Sequence, residues 1–126
     1  MKKMILAMML IGSSAMANTT LFKCVVPESK SVSLNIELAD DQSVDFVIVN
    51  LKEGNGQSVF FSQLDKGSVS EQLKQGSLSF LALTEQSAQV DGVIVNTGLL
   101  SLEVAGNAAE GLLLAKGNIY PLSCTK

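Results

Sequence analysis

The stretch SVSLNIEL, Ser31 to Leu38, alternates without a break. Val32, Leu34, Ile36 and Leu38 fall on one side of an extended chain, and Ser31, Ser33, Asn35 and Glu37 on the other. A period of two with one apolar face is the pattern of a half-buried antiparallel strand.

Outward from this segment, turn signals recur at intervals of roughly eight to twelve residues, the spacing of an all-β sandwich or barrel. They are PESK (Pro27 to Lys30), ADDQ (Ala39 to Gln42), EGNG (Glu53 to Gly56), DKG (Asp65 to Gly67), NTG (Asn96 to Gly98), AGN (Ala105 to Asn107) and KGN (Lys116 to Asn118). Asn55-Gly56 is the strongest hairpin signal among them, because both residue types tolerate positive φ. The segments between these turns predict nine strands: Thr19 to Val26, Ser31 to Leu38, Val44 to Leu51, Gln57 to Gln63, Ser77 to Thr84, Ala88 to Asn96, Leu99 to Val104, Glu110 to Ala115 and Ile119 to Cys124. One segment departs from the pattern. In SVSEQLKQG, Ser68 precedes Glu71 by three residues as a capping box, and Gly76 sits at a helix C-cap position, which predicts a short helix over Ser68 to Gly76. The expected fold is a small, mostly antiparallel barrel of eight or nine strands, with a two-sheet sandwich as the alternative.

VDFVIVN (Val44 to Asn50) returns as VDGVIVN (Val90 to Asn96), with Gly92 in place of Phe46. Alternation gives two faces, Val44, Phe46 and Ile48 against Asp45, Val47 and Val49. An unpaired carboxylate is costly in a dry core, so the Asp face is expected to point outward. That orientation makes Asp45, Val47, Val49, Asp91, Val93 and Val95 a candidate partner surface, provided the two copies lie side by side. Gly92 then takes the small position where barrel packing alternates large and small residues.

The chain opens with Lys2 and Lys3, an apolar run from Met4 to Gly12, and Ala15 and Ala17 in a small-residue cleavage pattern. This is the layout of a secretion signal spanning residues 1–17, cut between Ala17 and Asn18, and too short to anchor the chain in a membrane. Residues 18–126 then form a single domain. Its seven lysines face twelve carboxylates, and no arginine is present. An acidic balance of this kind does not suit nucleic acid, whose binding rests on neutralising phosphates. In an exported chain, Cys24 and Cys124 near the two ends read as one disulfide. Nine strands alternating in direction would make the first and last parallel, and the bond would latch a closed barrel.

Chemistry is bounded mainly by what the composition lacks. With no His, the usual Ser-His and Cys-His nucleophiles and typical zinc sites are excluded. ADDQSVD holds Asp40, Asp41 and Asp45 but lacks the Asp-x-Asp-x-Asp-Gly order of a calcium loop, so it reads as a turn of solvated acids. Ser123 to Lys126 matches Ser-x-x-Lys without companion motifs. Five Phe and one Tyr cannot build the two aromatic girdles of a membrane barrel.

The chain therefore reads as an exported, non-catalytic binding protein of the bacterial envelope, periplasmic or secreted, without cofactor or metal. In size, acidity and export it is similar to small periplasmic barrels that inhibit lysozymes, a likeness of class that no motif carries. The partner expected is a protein or envelope component, and inhibition of a cationic hydrolase is one version, with acidic loops at Asp40, Asp41 and Asp65 steering the encounter. The alternatives are a lipocalin-like carrier with a lumen lined by Leu34, Phe46, Ile48 and Phe80, and a structural subunit assembling through sheet edges.

Overall fold

The computed structural model describes residues 18–85, 89–90, 93–94 and 97–126. Its strands are β1 (Asn18–Val26), β2 (Ser29–Ala39), β3 (Val44–Glu53), β4 (Gly56–Asp65), β5 (Ser77–Glu85), β6 (Gln89–Val90), β7 (Val93–Ile94), β8 (Thr97–Ala105), β9 (Ala108–Ala115) and β10 (Asn118–Thr125). The helix α1 (Ser68–Lys74) stands between β4 and β5. Eight strands close into an antiparallel barrel in the order β9-β10-β1-β2-β3-β4-β5-β8, with β8 returning to β9. This is the barrel and not the sandwich.

The described residues of the predicted strand Ala88 to Asn96 are not part of a barrel stave. Gln89 pairs with Ile94 and Val90 with Val93 in a separate two-stranded sheet, while β5 pairs directly with β8. The sequence between the paired segments is Asp-Gly, a two-residue hairpin signal. Gly92, expected at a small packing position of the barrel, lies with Asp91 outside the described residues. Losing one stave changes the parity of the barrel, so β1 and β10 run antiparallel rather than parallel.

Cys24 and Cys124 are directly opposite each other in the β1–β10 register and are joined by a disulfide across a separation of 100 residues. That seam is short, pairing only Val25 with Ser123, Cys24 with Cys124 and Lys23 with Thr125. The covalent link therefore reinforces one of the two shortest seams of the barrel. Cross-linking so long a loop stabilises the fold by up to about 4.7 kcal/mol in the chain-entropy picture.

The interior is filled by side chains. Phe22, Phe60 and Phe80 are fully buried, and they join Leu34, Ile36, Leu51, Leu78, Leu100 and Leu113 in one core. From α1, Val69 enters this core and stoppers one mouth of the barrel. Beside the helix, β4 and β5 pair only at Phe60–Glu85 and Phe61–Thr84. The Gln72 side chain serves as the missing ladder partner there: its Oε1 accepts the Ser79 N–H at 2.6 Å and its Nε2 donates to the Ser79 carbonyl at 3.3 Å. The helix is thus part of the wall as well as a stopper.

The faces of β3 are the reverse of those expected. Asp45, Val47 and Val49 point into the barrel and are buried, whereas Val44, Phe46 and Ile48 lie on the half-exposed outer side. Register fixes this, since buried Ile36 and Leu34 of β2 stand opposite Val49 and Leu51. Both faces of β3 carry apolar residues, so only Asp45 distinguished them, and its carboxylate has partners that make burial tolerable.

Candidate functional site

Those partners lie at the mouth closed by α1. The Asp45 Oδ2 accepts the backbone N–H of Val69 at 2.9 Å and of Gly67 at 3.1 Å, and Lys66 Nζ stands 3.9 Å from Oδ1. The carboxylate thus satisfies orphan donors at the start of α1, where the helix dipole also favours negative charge. The expected capping box does not form. Ser68 Oγ donates instead to the Asp65 carbonyl at 2.6 Å, and a residue 24 positions upstream does the capping. Gly76, by contrast, follows the helix in the left-handed conformation expected of it, with φ of 80°.

The acidic turns meet at this same mouth. Asp41 folds the β2–β3 connection on itself, its Oδ1 accepting the N–H groups of Ser43 at 2.8 Å and Val44 at 3.2 Å. Lys66 donates to the Asp41 carbonyl, which ties that turn to the end of β4. Val44 pairs with Asp65, so Asp65 is carried to the rim beside Asp41, and Asp40 and Asp65 are both exposed. Acids 25 residues apart in sequence therefore share one rim. Among the described residues no three Cys, Asp or Glu side chains gather as ligands for a metal ion.

The opposite mouth holds a polar cluster that no motif announced. Tyr120 donates its hydroxyl to Glu53 Oε2 at 2.7 Å and accepts from Asn118 Nδ2 at 3.3 Å. Lys116 Nζ reaches Glu53 Oε1 at 3.4 Å and Ser58 Oγ at 2.9 Å. Burial, and next the Glu53 carboxylate beside it, push the Tyr120 hydroxyl pKa above its ordinary 10.0. The signal available in sequence was Lys116 itself. It occupies a left-handed turn position, φ 57°, where Asn or Gly is more at home than lysine.

A Ser-Lys contact of 2.9 Å invites comparison with serine nucleophiles activated by lysine. Such an amine sits neutral and desolvated in an apolar pocket. The Lys116 side chain is instead 38% exposed and shared with a carboxylate. The cluster clasps the β3–β4 and β9–β10 hairpins across the mouth, and its donors and acceptors are spent on one another.

The candidate partner surface does not assemble. Asp45, Val47 and Val49 are inside, Val93 belongs to β7 rather than to a barrel strand, and Asp91 and Val95 lie outside the described residues. The outer face of β3 and β4 carries Phe46 and Phe61 instead, stacked with ring centroids 5.7 Å apart. With Ile48 and Val59 they line a shallow hollow of about 210 Å³. The residues assigned to a ligand lumen are likewise divided: Leu34 and Phe80 are packed inside, Phe46 and Ile48 outside.

No helix among the described residues is long and apolar enough to cross a membrane. Neither a protein-family model, nor a curated protein, nor a solved structure matches the chain.

Proposed function

We propose that the chain acts after export as a non-catalytic binding protein of a bacterial envelope, in the periplasm or beyond it, and that its partner is a basic protein. A cationic hydrolase held inactive is the concrete version. The observation that carries this reading is the convergence of Asp40, Asp41 and Asp65 on one rim from separate turns. Acids gathered on a rim steer a basic partner and select its orientation, while the filled barrel behind them supplies a rigid mount. The single Cys24–Cys124 bond suits an oxidising compartment, in accord with the signal-like opening of the chain.

The packed interior favours this reading over a lipocalin-like carrier, because the apolar side chains that would line a lumen fill it. Closure of the sheet likewise favours it over assembly through strand edges. The test is capture. The oxidised chain from Asn18 onward is immobilised and exposed to envelope extract, and each retained protein is identified by mass spectrometry and re-tested pure by calorimetry. At least one basic protein should bind directly. Retention of none, or of acidic proteins alone, refutes the proposal.

A further inference from the structure

Among the described residues three large apolar side chains are exposed: Val25 at 53%, Leu114 at 37% and Ile119 at 68%. They lie on three adjoining strands of one flank, β1, β9 and β10. The register orders that flank in rows. Ile119, Leu114 and Leu99 make one row, Pro121, Leu112 and Ser101 the next, and Val25, Ser123, Glu110 and Glu103 the third. The middle row and the carboxylates of the third line an open hollow of about 650 Å³, bounded at one end by Pro27.

Gly111 is part of the lining of this hollow. At Gly111 a Cβ would fall 1.9 Å from the Ser101 carbonyl oxygen, so only glycine allows β8 and β9 to approach as they do. Across that approach Glu103 and Glu110 are directly opposite each other. Like charges facing across a strand pair repel, and this arrangement adds nothing to the barrel. The ion pairs among the described residues, Lys66–Asp45 and Lys116–Glu53, are at the two mouths. The next outward row, Lys23, Thr125, Ala108 and Ala105, holds one lysine, and it joins neither glutamate in an ion pair.

We infer that this flank is a docking face for a basic amphipathic segment of a partner protein. A Lys or Arg of the segment lies between Glu103 and Glu110, and its apolar neighbours lie on Leu112, Pro121 and the Leu114–Ile119 edge. The charge complementarity selects the occupant: a second copy of this acidic chain, or an acidic peptide, would add negative charge to a facing pair of carboxylates. The face extends the basic-partner reading, on which it rests, from the acidic rim to a defined contact area.

The test uses a short peptide alternating Lys and Leu, with a Glu-Leu peptide as control, titrated into the oxidised ¹⁵N-labelled chain. Amide shifts at Ser101, Glu103, Glu110, Leu112 and Ser123 are expected with the Lys-Leu peptide alone. The E103Q/E110Q variant should bind it about tenfold more weakly, since two charge contacts near the middle of an interface are worth about that much. A second variant, L112S, should also weaken binding, and a thermal midpoint no lower than the parent's by more than a few degrees in both would show that the barrel is intact. Shifts confined to Asp40, Asp41 and Asp65 would overturn the flank and leave the basic-partner reading standing. No shift, or equal binding by the charge variant, would overturn the flank as well, and extract capture would then judge the broader reading alone.

Discussion

At the scale of single residues, Asp45 decides the orientation of a strand. A carboxylate is expected outside because burial strips its water, yet here two backbone N–H groups at the start of α1 replace that water. Asp45→Ala leaves those donors unpaired inside the mouth. Urea denaturation should register a loss of about 1–3 kcal/mol, and Asp45→Asn, which keeps an acceptor, a smaller one. Tyr120 allows a pH experiment. Its folded pKa is raised, so its contribution to stability is complete below the ordinary value of 10.0 and fades as pH rises through the folded one. The fall in thermal midpoint above about pH 10 should be shallower in Tyr120→Phe than in the parent. Gly111→Ala forces a methyl group against the Ser101 carbonyl and should destabilise the barrel by about 2 kcal/mol or more in the same urea assay.

At the scale of elements, alternation in Ser31 to Leu38 located β2 because its two faces differ in polarity, and Leu34 and Ile36 are indeed the buried ones. The same rule could not orient β3, where Phe46 and Ile48 on one side rival Val47 and Val49 on the other. The helix was legible from its boundaries, but its capping residue was not, because Asp45 is remote in sequence and meets α1 only once β3 and β4 are paired. The second heptapeptide was legible as strand-like sequence. Its Asp-Gly step, a hairpin signal, was outweighed by the likeness to the first copy. Since Thr84 already pairs with Thr97, replacing residues 86–95 by Asn-Gly, which keeps Glu85 opposite Phe60, should leave a folded barrel, with β-type circular dichroism and a cooperative melt. Loss of the cooperative transition would mean that the insert supports the wall.

At the scale of the whole molecule, the two mouths and the flank divide the work. One mouth is stoppered by α1 and rimmed with acids, the other is clasped by Lys116, Glu53 and Tyr120, and the covalent latch closes the short β1–β10 seam. Reduction of Cys24–Cys124 should cost about 2–5 kcal/mol in denaturant, with the thermal midpoint falling accordingly. On the proposed reading, a filled barrel leaves recognition to its outer surface, where the acidic rim and the flank of Glu103 and Glu110 would both favour a basic counterpart. Attraction of that origin weakens as salt shortens the Debye length. The most direct test is therefore the Kd of the captured basic protein for the oxidised chain at about 0.05 M and about 0.5 M salt. A loss of roughly tenfold or more at the higher salt is the expected result; an affinity indifferent to salt would contradict electrostatic recognition by this surface.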